Sequence, residues 1–188
     1  MKIIEREIKG VYEIEPKTYS DKRGFFIRIY AHEVFQKHGI ERNWVQDNHS
    51  CSTKKGIIRG LHFQFPPHAE TKVVRCVRGA IYDVYVDLRK GSKTFGKWGY
   101  IELSEDNKKM VFIPRGFAHG FCTLVDNCEV LYRVDNYYEP KAEGGIIWND
   151  QQLQIPWSVE TPILSDKDAG LMSLKEFVAK YGALDVQE

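Results

Sequence analysis

The 188-residue sequence has no excess of either charge and no long apolar run. Lysine and arginine together number 27 against 26 aspartates and glutamates, so the formal net charge is +1. Without a basic run, the chain lacks the electrostatic footprint of a nucleic-acid-binding protein. No stretch approaches membrane-spanning length, and residues 1–7 lack the apolar core of a signal peptide. We therefore expect a cytoplasmic protein whose partners include neither a membrane nor a nucleic acid.

Cysteine is also scarce, and the histidines lack a metal-binding pattern. The four cysteines, Cys51, Cys76, Cys122 and Cys128, form no Cys-x-x-Cys pair and show no zinc spacing. Small double-stranded β barrels often bind a metal through a His-x-His pair, but here the sequence is His62-Phe63-Gln64. We therefore expect neither a disulfide scaffold nor a metal site.

Long helical patterns are few, and short alternating segments dominate. The length fits a single domain spanning residues 1–188. Residues 81–88 alternate with large side chains on both faces, which predicts a strand covered on both sides or lining a cavity. Helices are predicted at 31–38 and after Ser173, whose capping box precedes an apolar stripe that ends at Gly182. Further short strands, separated by Gly, Pro, Asn and Asp turns, are predicted at 97–103, 110–113, 120–123 and 129–136. This pattern indicates a mainly β sandwich or barrel with a few short helices.

Two segments contain the residues most suited to chemistry. His62 follows Arg59-Gly60-Leu61 in an apolar and aromatic setting, where an uncharged imidazole could act as a base. Lys72 begins the run 72–78, and in a strand it shares a face with Val74 and Cys76. A lysine in that position is either an edge residue that extends to solvent or a charge held inside a pocket.

Several other polar residues are candidates, although each alone is more often structural. His119 lies between two glycines and two phenylalanines, Tyr132 lies on a predicted strand, and Asp168 follows a turn. Gln46 and Asn48 are close together in the segment 45–50. An aspartate near a turn commonly caps it, and a strand tyrosine commonly packs its ring, so their combination carries more information than any single residue.

That combination resembles the dTDP-4-dehydrorhamnose 3,5-epimerase family over residues 3 to 170. Six motifs carry the resemblance in order: Arg23-Gly24-Phe25-Phe26, Val45-Gln46-Asp47-Asn48-His49-Ser50, Arg59-Gly60-Leu61-His62-Phe63-Gln64, Lys72-Val73-Val74-Arg75, Pro114-Arg115-Gly116-Phe117-Ala118-His119-Gly120-Phe121 and Leu164-Ser165-Asp166-Lys167-Asp168. The resemblance implies a cupin-like double-stranded β-helix (jelly roll) and a homodimer with an exchanged N-terminal segment. It implies no metal or organic cofactor.

The resemblance also implies a reaction on a nucleotide-sugar substrate. The family inverts C3 and C5 of a nucleotide-linked 4-keto-6-deoxyhexose, a step in L-rhamnose and related sugar pathways. Both hydrogens flank the C4 ketone, so the site needs a base, a cation at the C4 oxygen and an acid on the opposite ring face. By this matching His62 is the base, Asp168 orients it, Lys72 stabilises the enolate and Tyr132 is the acid. Matching also assigns substrate contacts to Arg23, Phe26, Gln46, Asn48, Arg59, His119 and Tyr138.

One position departs from the family pattern. The motif Arg-Gly-x-Phe-x-Glu ends here in Arg28, so a donor-only guanidinium replaces an acceptor-only carboxylate at the nucleotide-binding end. Either Arg28 changes which base is bound, or it points to solvent. The main hypothesis is a dTDP-sugar 3,5-epimerase. The alternatives are an epimerase on a CDP- or GDP-linked sugar, one that inverts a single carbon, and a non-catalytic sugar-binding cupin.

Overall fold

The structure, a computed structural model, describes residues 1–186; the last two residues of the predicted domain, 187 and 188, lie outside the described residues. Its strands are β1 (Lys2–Glu5), β2 (Tyr12–Glu15), β3 (Thr18–Asp21), β4 (Gly24–Ile27), β5 (Gln46–Ser52), β6 (Ile58–Gln64), β7 (Lys72–Arg78), β8 (Ala80–Asp87), β9 (Trp98–Ser104), β10 (Met110–Ile113), β11 (Phe117–Thr123), β12 (Cys128–Val134) and β13 (Glu143–Gly145). Its α-helices are α1 (His32–Gln36), α2 (Asp166–Ala169) and α3 (Leu174–Tyr181), and a 3-10 turn spans Pro140–Ala142.

The strands form two larger antiparallel sheets and one separate hairpin. The six-stranded sheet has the order β1-β2-β10-β7-β12-β5, and the five-stranded sheet has the order β13-β6-β11-β8-β9. β3 and β4 pair only with each other. Sequence neighbours repeatedly fall in opposite sheets, as in a jelly roll, which confirms the predicted mainly β, cupin-like class.

An apolar core lies between the two large sheets. Alternate residues of β7 and β12, such as Val74 and Val130, contact inward residues of β8 and β11, such as Tyr85 and Phe121. The opposite face of β8 is buried as well, because Tyr82, Val84, Val86 and Leu88 pack against a second cluster. The prediction of a strand covered on both faces is therefore confirmed.

Two segments, one between β4 and β5 and one after β13, cover the outer faces of the sheets. The chain after β13, including Trp157, Leu174 and Phe177, packs on the five-stranded sheet. Phe35 of α1 and Ile40 pack on the outside of the six-stranded sheet. Both outer faces are therefore covered, and most of the polar residues of interest gather at one end of the sandwich.

Most predicted elements are confirmed, with shifted ends. Strand β11 begins three residues before the predicted 120–123 because Phe117 pairs with Asp87 and packs against Tyr85. Strand β12 stops at Val134, since the next residue, Asp135, accepts a hydrogen bond from the Thr71 amide. The predicted capping box at Ser173 is present. The helix predicted at 31–38 is shorter, and the four-residue α2 was not predicted because so short a helix shows no periodicity.

In residues 1–186, no helix combines the length and apolar character required to span a membrane. The four cysteines are all free thiols, and three of them are buried. Burial raises the pKa of Cys76 to about 12 and that of Cys122 to about 11, which makes these thiols inert.

Candidate active site

A polar cleft of about 270 Å³ opens between the two sheets at one end of the sandwich. Its walls contain six of the residues singled out from sequence: Arg59, His62, Lys72, His119, Tyr132 and Asp168. The remaining lining residues are Ser50, Val74, Phe121, Val130, Ser165 and Lys167. Four separate motifs therefore converge on one cavity, although Arg59 and Asp168 are 109 residues apart in the sequence.

Strands β6 and β11 carry both histidines on the wall formed by the five-stranded sheet. His62 and His119 are direct partners in the antiparallel register. Leu61 and Phe63, the neighbours of His62, pack into the cluster on the other side of the sheet, so the imidazole must face the cleft. A close backbone contact supports this arrangement: a Cβ on Gly60, whose φ is +123°, would lie 2.6 Å from Cα of Gly120.

Lys72 and Tyr132 lie on the opposite wall, on adjacent strands of the six-stranded sheet. In the register of β7 with β12, Val134 pairs with Lys72 and Tyr132 pairs with Val74. The Lys72 side chain is only 12% exposed and forms an ion pair with Glu70. Of the two alternatives for this lysine, the charge held inside a pocket is the one observed.

His62 is held by a carboxylate. Its Nε2 lies 2.6 Å from Oδ1 of Asp168, and Oδ2 of Asp168 accepts a hydrogen bond from the Gly60 amide at 3.3 Å. Burial acts to raise the pKa of Asp168, but the hydrogen bond and charge of His62 and the Gly60 amide together hold it below its ordinary value. Asp168 is therefore an anion that fixes the imidazole, and no described residue hydrogen-bonds to Nδ1 of His62, which is left for a substrate.

His119 has a carboxylate partner that the sequence analysis did not identify. Its Nε2 lies 2.9 Å from Oδ2 of Asp83, which is buried on β8, and the other oxygen of Asp83 has no hydrogen-bond partner among the described residues. Burial raises the pKa of Asp83, while the charges of His119 and Lys72 oppose that rise. The available signal was the alternation of residues 81–88, which puts Asp83 on the inward face beside Tyr85.

Arg59 extends from β6 along the edge of the cleft. Its Nε donates to Oγ of Ser52 at 3.0 Å, and its Nη2 donates to the carbonyl of Cys51 at 3.1 Å. These bonds to β5 hold the guanidinium at the cavity wall. Nη1 forms no hydrogen bond within residues 1–186, so it can donate to an anionic group in the cleft.

Tyr138 lies at the rim and is half exposed. Its hydroxyl donates to Glu143, whose carboxylate also forms an ion pair with Lys167 of the cleft wall. The hydrogen bond to Glu143 raises the pKa of Tyr138. Lys167 lies within a motif noted from sequence but is not one of the site residues predicted there.

Gln46 and Asn48 lie on β5, which is the edge strand next to β12. Nε2 of Gln46 donates to Oδ1 of Asn48 at 2.8 Å, and Asn48 pairs with Tyr132 in the β-sheet register. Both share a face of β5 with Ser50, which lines the cleft, because the three residues occupy every second position. They therefore continue the inward face of the sheet beyond Tyr132.

The three remaining candidates, Arg23, Phe26 and Arg28, are not brought to the cleft within one chain. Arg23 forms an ion pair with Asp21 at the tip of the β3–β4 hairpin. Phe26 is 60% exposed and Arg28 is also exposed. Among residues 1–186, no cluster of three or more His, Cys, Asp or Glu side chains has a metal-binding arrangement.

Comparison with known proteins agrees with this geometry. Residues 5–176 match the family model described as dTDP-4-dehydrorhamnose 3,5-epimerase. The enzyme of that name from Shigella flexneri is 50% identical over 169 residues, covering 89% of this chain and 93% of the relative.

Two further proteins are also similar to this chain. A crystal structure of the Bacillus anthracis 3,5-epimerase with TDP and PPi bound superposes with a TM-score of 0.90 at 49% identity, covering 92% of this chain and 99% of that one. A dTDP-4-dehydrorhamnose 3-epimerase from Streptomyces niveus is 38% identical over 170 residues, covering 90% of this chain and 82% of the relative. This chain belongs to the dTDP-4-dehydrorhamnose 3,5-epimerase family, whose members are isomerases.

Proposed function

We propose that this protein inverts C3 and C5 of dTDP-4-dehydro-6-deoxy-D-glucose to give dTDP-4-dehydro-L-rhamnose. The observation that supports the proposal most strongly is the pairing of a carboxylate-held imidazole with a tyrosine on the facing wall of one cleft. Inversion requires a proton to leave one face of a carbon and another to arrive on the opposite face. A non-catalytic sugar-binding module has no need for such a pair.

The proposed first step is proton removal by Nδ1 of His62. The electrons of the broken C–H bond move towards C4, so the ketone oxygen becomes an enolate oxygen. Asp168 stabilises the imidazolium that forms, because its carboxylate already contacts Nε2 at 2.6 Å. The ammonium of Lys72 donates to the enolate oxygen inside a largely buried site, where a fixed charge is most effective.

The proposed second step is reprotonation from the other wall. Tyr132 gives its hydroxyl proton to the carbon on the face opposite His62. This restores the C4 ketone and leaves the reprotonated carbon with inverted configuration. The hydroxyl is available because it forms no hydrogen bond within residues 1–186. Exchange with solvent then returns a proton to Tyr132 and removes one from His62, and the cycle can act at the second carbon. These side chains supply the base, cation and acid, so the proposal includes no cofactor.

Substrate binding is assigned to the residues around the catalytic set. Arg59 and His119 offer donors at the cleft wall for the sugar or the diphosphate. Gln46, Asn48 and Tyr138 extend from it towards the rim, where a nucleoside would lie.

We assign Arg23, Phe26 and Arg28 to the nucleotide site of a second copy, in a homodimer with an exchanged N-terminal segment. The β3–β4 hairpin that carries the motif pairs with neither large sheet of its own chain. It exposes Tyr19, Phe25 and Phe26, an unusual density of large apolar side chains for a free surface. Burial against a partner would remove this surface from water.

The catalytic unit in this proposal is one domain of residues 1–188, acting in the cytoplasm. The support for one unit is that both sheets contribute walls to the same cleft. The support for a reducing compartment is that none of the four cysteines is in a disulfide.

Two specific observations favour alternatives, one to the substrate and one to the reaction. Arg28 replaces the expected carboxylate at the nucleotide end, which keeps CDP- and GDP-linked sugars in consideration. The Streptomyces niveus relative is named a 3-epimerase, so inversion of C3 alone is a second alternative.

The test is proton exchange with solvent during turnover. The enzyme is incubated with dTDP-4-dehydro-6-deoxy-D-glucose in D₂O, and NMR follows deuterium at C3 and C5 together with the configuration of the product. We expect deuterium at both carbons and the L-configured product, while His62→Asn abolishes both signals but retains nucleotide binding. Deuterium at C3 alone would support the mono-epimerase, and exchange only with a CDP- or GDP-linked substrate would transfer the proposal to that nucleotide. Absence of exchange with every nucleotide sugar would favour the non-catalytic binding module.

A further inference from the structure

Lys72 extends into the cleft from the first residue of β7, and a carboxylate two residues earlier lies beside it. Oε1 of Glu70 is 3.2 Å from Nζ of Lys72, and the two side chains are only 13% and 12% exposed. This is the only ion pair or hydrogen bond of the Lys72 ammonium within residues 1–186. Glu70 itself does not line the cleft, so it stands behind the lysine rather than beside a substrate.

Glu70 is supported on its other side by a hydrogen-bonded amide. Nε2 of Gln64 lies 3.3 Å from Oε2 of Glu70, and the same amide nitrogen contacts the carbonyls of His68 and Tyr137 at 2.9 and 3.1 Å. Oε1 of Gln64 accepts from the Glu139 amide at 2.7 Å. Gln64 therefore ties the Glu70 loop to the chain after β12.

The residue between Glu70 and Lys72 is fixed as well. The amide of Thr71 donates to Oδ1 of Asp135 at 2.6 Å, and Asp135 forms ion pairs with Arg42 and Arg115. The backbone that carries both members of the ion pair is therefore anchored at its centre.

An ammonium has three N–H donors. The contact with Glu70 is an ion pair at 3.2 Å, so these donors remain available to a group in the cleft. Other carboxylates do not hold Lys72 in the same way. Asp83 on β8 acts on it only through its charge, since the hydrogen-bond partner of Asp83 is His119. Asp168 on α2 is bound to His62.

We propose that Glu70 is the positioning residue for Lys72, which fixes the ammonium where the enolate oxygen develops. The inference rests on the proposed function, because it assumes that Lys72 stabilises an enolate. Without Glu70, the flexible four-carbon stem would sample several rotamers, and the ammonium would be misplaced by an ångström or more. Misplacement on that scale lowers the rate of the chemical step much more than it weakens ground-state binding.

The test compares Glu70→Ala and Glu70→Gln with wild type in steady-state epimerisation and C3/C5 proton exchange. We expect Glu70→Ala to lower kcat by about 10-fold to 100-fold, with KM within about twofold of wild type. Glu70→Gln retains an oxygen that can accept from the ammonium, so we expect it to recover most of kcat. An unchanged kcat in Glu70→Ala, or a loss that appears only in KM, would overturn the proposal.

A double-mutant cycle with Lys72→Ala tests whether Glu70 acts through the lysine. On the Lys72→Ala background, removal of Glu70 should lower kcat no further, whereas an additive loss would overturn the proposal. The double variant also removes both charges, so it remains informative if Glu70→Ala alone fails to fold.

The matched control for Glu70→Ala is Glu13→Ala. Glu13 is a buried glutamate paired with Lys109 and Arg6, and it does not line the cleft. Its loss should lower stability but leave kcat unchanged; an equal fall in kcat would overturn the specific role of Glu70. An inactive wild type would refute the proposed function itself, whereas an active wild type with additive losses would refute only the role of Glu70.

Discussion

At the scale of single residues, Lys72 is the clearest case of a charge whose contribution to catalysis would depend on its surroundings. In the proposed mechanism its ammonium faces a site where negative charge develops only during reaction, so it would contribute more to the transition state than to the ground state. We expect Lys72→Ala to lower kcat by roughly 10²-fold or more, as loss of one oxyanion donor does, with a much smaller change in KM. Steady-state kinetics measures both parameters, and a pure KM effect would make Lys72 a binding residue.

The prediction for Tyr132 differs, because in the proposed mechanism this residue acts after the enolate has formed. Tyr132→Phe removes the proton donor and keeps the ring that packs beside Val130. The enolate can then be reprotonated by His62 on its original face, so deuterium from solvent should enter the substrate faster than inverted product appears. NMR in D₂O follows both rates in one sample. Equal loss of both signals would instead assign Tyr132 to binding or to the first proton transfer.

At the scale of elements, the short helix α2 links stability to catalysis. Oγ of Ser165 accepts from the amide of Asp168 at 3.1 Å and so caps the helix that presents Asp168 to His62. We expect Ser165→Ala to lower the free energy of unfolding by about 1 kcal/mol and also to reduce kcat, because the orienting carboxylate loosens. Urea denaturation and steady-state kinetics measure the two effects.

The matched control for Ser165 is Ser173, which caps α3 in the same way and does not line the cleft. Ser173→Ala should lose a similar free energy of unfolding while kcat stays unchanged. If both variants reduced kcat equally, the effect at Ser165 would reflect general loosening of the C-terminal segment.

At the scale of the whole molecule, the proposed dimer makes Arg28 and the β3–β4 hairpin the features to test for an effect on which nucleotide binds. Thermal shifts with dTDP, CDP, GDP and UDP rank the nucleotides, because a ligand that binds only the native state raises apparent stability according to its affinity. We expect Arg28→Glu to move the ranking towards dTDP, since a carboxylate accepts where the guanidinium donates. Lys22→Glu, on the same hairpin but outside the motif, is the control for added negative charge. An unchanged ranking would mean that Arg28 does not contact the base.

The class of fold and the chemical groups of the site could be predicted from the amino-acid sequence. Alternation in residues 81–88, the Ser173 capping box and the turns between short segments are local signals, because neighbouring residues in a strand or helix must share or oppose a face. The resemblance to the family, rather than local pattern, predicts the catalytic candidates His62, Lys72, Tyr132 and Asp168. All four line one cleft in the structure.

Which of these groups meet, and which residues support them, depends on three-dimensional packing and could not be predicted from local patterns in the sequence. His62 and Asp168 are 106 residues apart, and His119 and Asp83 are 36 apart, so both pairs depend on strand register and sheet packing rather than on local pattern. Glu70 and Lys72 are only two residues apart, but their buried ion pair depends on a lysine that, judged from sequence alone, could equally have reached solvent from an edge strand. A carboxylate in a sequence carries no sign of the partner it will meet. Only the closing of two sheets into one cleft selects that partner, because burial makes an unpaired charge too unfavourable to persist.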